Sequence, residues 1–182
     1  MIFFAKFVSD SGIEWYKLSI IGQYVGNIIM ERVNRRILYS LQKDSTLSVS
    51  EIGERVGLST SACHRRIRQL EEEGVIEGYS ATLSRTALGY SIEVFVEVTL
   101  SGQSETLLDQ FEKAATECND IIECHLMAGD ADYLLRVAAE NPESYEYLHR
   151  KVLASLPGVA RLKSNLVLKS VKPYSGYPVK QI

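Results

Sequence analysis

The sequence of 182 residues has no apolar run near the ~18 residues that a membrane-spanning helix needs. It also has no basic start followed by an apolar segment and a cleavage site, the pattern of a secretory signal peptide. Cysteine is scarce, since the chain has only Cys63, Cys118 and Cys124. They form no C-x-x-C pair, and each lies in an apolar pattern typical of reduced core residues. We therefore expect a cytoplasmic protein with no membrane partner.

The same scarcity excludes several kinds of chemistry. No second cysteine or histidine pair stands at metal-ligand spacing, so the sequence predicts no metal site and no cofactor. Cys124 and His125 are neighbours in a predicted strand and point to opposite faces, so they cannot form a nucleophile and base pair. His149 lies on a predicted helix and His64 on another. No catalytic set emerges, and we expect no enzyme activity.

An overall excess of positive charge is also absent. The formal net charge is −3. Residues 30–84 hold eight lysines and arginines against eight acids, and residues 91–172 hold eight against thirteen. Composition therefore gives no nucleic-acid signal, and any such argument depends on local charge placement. The acidic second half is not expected to contact DNA.

Residues 49–76 carry two short helical patterns joined by a glycine turn. The apolar positions Ile52, Val56, Leu58, Cys63, Ile67 and Leu70 recur at helical spacing, so the two helices share a small core. Gly53 is small where the helices cross, and Gly57 suits a left-handed turn. Ser59 is a candidate N-cap, and Gly74 ends the second helix. This pattern is typical of a helix-turn-helix.

The second of these helices has one polar, basic face. At ~100° per residue, a core formed by Cys63, Ile67 and Leu70 leaves the arginines and hydroxyls on the opposite side. Arginine can hold guanine edges or phosphates, and hydroxyls at a helix start can bind phosphate. The ordinary alternative is a solvated face in an all-α protein. The residues predicted to contact double-stranded DNA are Ser59, Thr60, Ser61, His64, Arg65 and Arg68.

Three segments resemble the Lrp/AsnC family of transcription regulators. They read GLSTSACHRRIRQLEEEGVIEGYSATLS from residue 57, ECHLMAGDADYLLRV at 123–137, and LPGVARLKSNLVLKSVK at 156–172. The resemblance spans residues 30–172, with Met30-Glu31 and Asn34 where the family usually has a Leu-Asp pair and a second Asp. It implies an amino-acid effector and homodimers that often assemble into octamers.

The predicted fold class is α+β, with an N-terminal winged helix-turn-helix domain followed by a ferredoxin-like βαββαβ domain. We assign residues 1–29 to an extension of unknown role, 30–84 to the DNA-binding domain, 85–91 to a connector, 92–172 to the second domain and 173–182 to a tail. Residues 75–81 suit a short β-wing. Expected strands cover 92–100, 121–127, 133–139 and 162–171, and a helix begins at Pro142.

The predicted sheet has both helices on one face, which leaves the other face open. Phe95, Met127 and Val167 fall on the strand parity opposite Val96, Leu126 and Leu168, so apolar groups are expected on both faces. Such a face favours a partner, and two sheets packed together would form a dimer. The dimer would place two recognition helices about one DNA turn apart.

The second candidate site is the tight connection at residues 129–133. From the residues alone it is first a hairpin turn. The resemblance implies an amino-acid effector site there, at a contact between dimers. Turn amides could hold the ligand carboxylate, and Asp130 or Asp132 its ammonium group. The predicted effector residues are Gly129, Asp130, Asp132 and Tyr133. The alternative left open is an architectural DNA-binding protein without small-molecule control.

Overall fold

The computed structural model describes residues 31–180, and these form two compact units. The first unit contains residues 31–79 together with 175–180, and the second is Ser80–Tyr174. The extension assigned to residues 1–29 lies outside the described residues. None of the helices in the described range is long and apolar enough to cross a bilayer.

The first unit is built from three helices, α1 (Arg32–Lys43), α2 (Val49–Val56) and α3 (Thr60–Glu72). Their apolar stripes meet in one core, and each fully buried aliphatic side chain there contributes roughly 1.5–3 kcal/mol. The predicted core positions are confirmed. The buried members of this core are Ile37, Ile52, Val56, Cys63, Ile67 and Leu70.

The turn between α2 and α3 has the predicted geometry. Gly57 adopts φ 77°, which is left-handed. A Cβ on Gly53 would lie 2.9 Å from the Leu58 carbonyl oxygen, so a side chain there would separate the two helices. The Ser59 hydroxyl accepts a hydrogen bond from the Ala62 N–H at 3.3 Å and caps α3. These contacts fix the angle at which α3 leaves the turn.

The predicted β-wing over residues 75–81 is wrong, because no strand forms between residues 73 and 91. The N–H groups of Val75 and Ile76 both donate to the Leu70 carbonyl, at 2.9 and 3.0 Å. Both side chains also pack on the helical core. These bonds close the end of α3, and residues 77–84 continue as exposed chain without a ladder partner in the described range.

The second unit has the predicted ferredoxin-like order. Its elements are β1 (Ile92–Leu100), α4 (Glu105–Glu117), β2 (Ile121–Leu126), β3 (Tyr133–Ala139), α5 (Pro142–Tyr147), which continues through a π-helical turn Leu148–Val152 and a 3-10 turn Leu153–Ser155, and β4 (Val159–Leu166). The four strands form an antiparallel sheet in the order β2-β3-β1-β4.

β4 covers Val159–Leu166 and not the predicted 162–171. Gly158, at φ 73°, turns the chain directly from the helix into the strand, and Val159 already pairs with Leu100. The ladder between β4 and β1 ends at Leu166, which pairs with Val94, and the Val167 N–H then bonds to the Glu93 carbonyl at 2.9 Å.

One face of the sheet packs against α4 and α5. In this core the ring centroids of Phe111 and Tyr133 lie 4.4 Å apart. The buried members are Val94, Val96, Val98, Leu100, Leu108, Phe111, Ala115, Tyr133, Leu135, Val137, Leu148 and Leu153. The core therefore lies on the helix side of the sheet, as the strand alternation predicted.

The opposite face is more charged than we expected. Arg136 forms ion pairs with Glu93 and, at 2.6 Å, with Glu123, and Lys163 pairs with Glu97 at 3.1 Å. Phe95 and Leu134 are half-buried on this face, so the expected apolar groups lie there beside these charges. Cross-strand charge pairs explain how a β-sheet can leave such a face open.

Candidate functional site

The first candidate site is the outward face of α3. The structure leaves all six predicted DNA-contact side chains exposed, on the side opposite the core. The exposed set is Ser59, Thr60, Ser61, His64, Arg65 and Arg68. The structure therefore brings them together on one accessible helix face.

The three arginines of α3 differ in how far they are already engaged. Arg65 makes no hydrogen bond or ion pair with any residue in the described range. Arg68 Nε forms an exposed ion pair with Glu72 Oε1 at 3.0 Å. Such pairs contribute little to stability, so Arg68 can exchange partners at low cost. Both guanidinium groups are available to a polyanion, Arg65 more readily.

Arg66 has a structural role. Its Nη1 donates to Glu31 Oε2 at 2.6 Å and to Asn34 Oδ1 at 3.0 Å. These bonds attach α3 to the start of α1. Glu31 and Asn34 are the positions at which the sequence departs from the family pattern, and here they hold an arginine of the recognition helix in place.

An open groove of about 510 Å³ lies beside α3. Its lining includes Leu41, Leu47, His64, Arg68 and Tyr79. The Tyr79 hydroxyl donates to Glu71 Oε1 at 2.8 Å. Burial, together with this bond to a carboxylate, raises the pKa of Tyr79 to about 12. His64 lies at the edge of the exposed face of α3, beside this groove.

The second candidate site is the hairpin between β2 and β3. It is closed by hydrogen bonds from the Met127 N–H to the Asp132 carbonyl at 2.8 Å and from the Asp132 N–H to the Val98 carbonyl at 2.9 Å. Gly129 does not use a left-handed conformation, and a Cβ added to it would meet nothing within 4 Å. The fold itself thus does not require glycine at this position.

The two hairpin carboxylates have different surroundings. Asp132 accepts hydrogen bonds from the Leu100 N–H at 2.8 Å and from Gln103 Nε2 at 2.7 Å. Asp130 is exposed and makes no hydrogen bond or ion pair within residues 31–180. Gln103 is a member of the site that sequence reasoning missed, because nothing in its local pattern links it to residue 132.

Tyr133 points away from the hairpin surface. Its side chain is 1% exposed, and its hydroxyl donates to Glu112 Oε1 at 2.7 Å. Burial, assisted by that carboxylate, raises the pKa of Tyr133. The side chain anchors the end of the hairpin in the core, and it does not offer a contact surface for an effector.

The remaining reactive groups do not form a metal cluster. Across residues 31–180, no three His, Cys, Asp or Glu side chains are grouped so that they could hold an ion. His125 Nε2 lies 3.3 Å from Glu123 Oε2 on the open sheet face. Cys124 is exposed and not in the core as expected, but desolvation of its thiol and the nearby Glu112 carboxylate raise its pKa, so this group is not an activated thiolate.

A helix-turn-helix with an exposed basic second helix, joined to an antiparallel sheet domain, defines a class of DNA-binding regulators with a separate sensing domain. Residues 30–77 match the family described as winged helix-turn-helix DNA-binding, and residues 93–177 match the family described as the Lrp/AsnC ligand binding domain. The chain belongs to the Lrp/AsnC family. It is a DNA-binding transcription regulator that carries a ligand-binding domain.

Curated relatives and solved structures agree with this assignment. The leucine-responsive regulatory proteins of Escherichia coli strain K12 and Klebsiella pneumoniae are each 41% identical over 143 residues, which cover 79% of this chain and 87% of the relative. A transcriptional regulator of Neisseria meningitidis solved in complex with L-Met has a TM-score of 0.78 and 28% identity, covering 82% of this chain and 97% of that one. An AsnC family regulator of Agrobacterium tumefaciens gives 0.77 and 33%, with the same coverages.

Proposed function

We propose that this protein is a cytoplasmic regulator that binds specific DNA sites through α3 as a homodimer and responds to a small amino acid at the β2–β3 hairpin. The observation that carries the DNA contact is the exposed, one-sided set of basic and hydroxyl groups on α3. Within residues 31–180, Arg65 makes no hydrogen bond or ion pair and Arg68 makes one exposed ion pair, with Glu72. Arginine in this position can read guanine edges in the major groove.

The effector site is proposed from the chemistry of the hairpin. Asp130 offers an ammonium group a carboxylate that none of the described residues engages, and Asp132 holds the Gln103 amide beside it. Gly129 leaves open space in which a ligand carboxylate can approach the turn amides. The names of the leucine-responsive relatives and the L-Met complex of the Neisseria regulator support an amino acid as the ligand.

Assembly completes the proposal. The open sheet face carries both acids and bases, including Glu93, Glu97, Arg136 and Lys163, so a second copy can meet it without excess charge. We propose that this face forms the dimer, and that dimers assemble further, into an octamer, with hairpins at their contacts. A site shared between dimers binds ligand only in the assembled state, which couples effector level to assembly.

A thermal-shift screen of the twenty amino acids tests the effector proposal, because a ligand that binds the folded state raises its apparent stability. Calorimetry then compares Asp130→Ala with Asp120→Ala, an exposed aspartate outside the hairpin. We expect Asp130→Ala to lose binding and Asp120→Ala to retain it. Equal binding by both variants would place the sensor elsewhere. If no amino acid binds and DNA is bound without sequence preference, the architectural alternative replaces this proposal.

A further inference from the structure

The C-terminal residues of the chain pack with the first unit and not with the sheet unit that precedes them in sequence. After β4 the chain passes through the last residues of the sheet unit, and Ser175–Lys180 then belong to the helix-turn-helix unit. The two units are therefore joined by two chain segments. One is the connector after Tyr79, and the other is the crossing at Tyr174. We call residues 175–180 the C-terminal strap.

The second residue of the strap is a glycine whose geometry allows no other residue without strain. Gly176 adopts φ 93°, and a Cβ there would lie 1.8 Å from Gln42 Nε2 and 2.4 Å from Gln42 Cδ. The amide of Gln42 thus lies directly against the strap backbone. Any side chain at 176 would both adopt a left-handed conformation and push Gln42 away.

The rest of the strap lies along the same side of α1. Pro178 and Val179 border a groove of about 350 Å³ with Arg35 and Leu38, and Val179 is half-buried there. Arg35 Nη1 donates to the Lys180 carbonyl at 3.4 Å. Arg35, Leu38 and Gln42 follow helical spacing, so the strap contacts one continuous stripe of α1.

α1 in turn holds the recognition helix. Its start is bonded to Arg66 of α3 through Glu31 and Asn34. Arg36 on α1 donates to the carbonyl oxygens of Arg55 and Val56, which end α2. A change at the strap therefore acts on the helix that is fastened to both parts of the helix-turn-helix.

We infer that the C-terminal strap transmits the state of the ligand-binding unit to the DNA-binding unit through α1. A unit joined at two points has fewer accessible orientations than a unit joined at one, so its recognition helix is better preorganised for paired half-sites. Effector-driven assembly then biases DNA binding through the strap. The effector part of this inference rests on the proposed function, whereas the preorganisation part does not.

Val179→Lys and Gly176→Val are the test variants. The first places a second cation beside Arg35, and the second adds a side chain against Gln42. Val171→Lys is the matched control, because Val171 is 87% exposed and precedes the strap. DNA affinity of the full chain is measured by fluorescence anisotropy, with and without the amino acid that binds best, and effector affinity by calorimetry.

We expect both strap variants to bind DNA about 3–10-fold more weakly without effector, as lost preorganisation predicts. The ratio of DNA affinities with and without effector should fall towards one, and effector affinity should not change. Val171→Lys should behave like the parent. A strap that only stabilises α1 would lower the melting temperature and leave both DNA affinity and the ratio unchanged, which would overturn the inference.

Failure of the proposed function gives a different result. If the parent shows no amino-acid response, the effector proposal fails. The DNA affinities of the strap variants without ligand still test whether the strap preorganises the DNA-binding unit. A cysteine pair introduced at Arg35 and Val179 adds a direct readout, since a short bismaleimide should join these two residues. Absence of this cross-link would show that the strap does not lie on α1.

Discussion

The outward face of α3 and the β2–β3 hairpin were both predicted as binding sites, but their side chains are engaged to very different extents. On α3 the six predicted side chains are exposed, and Arg65 has no partner among the described residues. In the hairpin, Asp132 and Tyr133 already hydrogen-bond within the fold, whereas Asp130 bonds to none of residues 31–180. A polar residue in a motif can thus serve a partner or the fold, and only its contacts distinguish the two.

The largest expected effect is on the free energy of unfolding, when the engaged carboxylate of the hairpin is removed. Asp132→Ala removes the acceptor for the part-buried Leu100 N–H and for Gln103. We expect a loss of roughly 2–3 kcal/mol in the free energy of unfolding of the sheet unit, since hydrogen bonds to charged groups contribute about 1.5–3 kcal/mol each. Thermal unfolding followed by circular dichroism measures this loss.

Asp130→Ala is the matched comparison for that experiment. Its carboxylate has no partner in the described chain, so its removal should change the free energy of unfolding by less than about 0.5 kcal/mol. If Asp130→Ala destabilises the protein as much as Asp132→Ala, then the distinction between a free and an engaged carboxylate is wrong.

The second effect concerns the arginines of α3. Arg65→Ala should weaken DNA binding by ~1–3 kcal/mol if the guanidinium contacts a base, with the melting temperature unchanged. Arg66→Ala should instead lower the melting temperature, because it removes the bonds of Arg66 to Glu31 and Asn34. Gel shifts and melting curves on the same samples compare the two. Arg150→Ala, an exposed arginine in the sheet unit, controls for the loss of one positive charge.

The fold was largely predictable because periodicity reports burial directly. The core positions Cys63, Ile67 and Leu70 and the alternation along β1 follow from spacing alone, and the structure confirms them. The absence of a β-wing at 75–81 was not predictable, because Val75 and Ile76 bond back to Leu70 and no local pattern shows this. The ion pairs of Arg136 on the open sheet face were not predictable either, because they depend on strand register.

The candidate sites were predictable as segments but not in their internal contacts. Residue types and the family resemblance selected α3 and residues 129–133. Gln103 joins the hairpin through Asp132, 29 positions away in the chain, and no sequence pattern reports such a contact. The strap was missed for the same reason, because its position on α1 depends on tertiary structure. One missed signal was available, since Ser48 and Glu51 have the spacing of a capping box.

A smaller effect on DNA affinity is expected when Arg68 is released from its ion pair and so becomes as available as Arg65. Glu72→Gln releases Arg68 and removes one negative charge near the phosphates. DNA affinity should rise by about 0.3–1 kcal/mol, the size of an exposed ion pair. Glu73→Gln is the control, because it removes the same charge from a residue that hydrogen-bonds Gln69 and no arginine. Equal gains in gel shifts for both variants would mean that the Arg68 pair has no specific effect.

The smallest effect is a pH dependence of stability at the start of α2, where the carboxylate of Glu51 is bonded within the fold. Glu51 Oε2 accepts hydrogen bonds from the Ser48 hydroxyl and the Ser48 N–H, both at 2.7 Å, and these bonds lower the pKa of Glu51. A carboxyl group with a lowered pKa stabilises the fold at pH values above its unfolded pKa of about 4.3. That contribution is lost as the pH falls through the lower folded value. Melting temperatures of the parent and Glu51→Gln, measured from pH 6 to pH 2, isolate the effect, since glutamine keeps a capping geometry without a titrating group. The difference in melting temperature between the parent and Glu51→Gln should disappear as the pH falls. A constant difference would show that the carboxylate charge does not contribute.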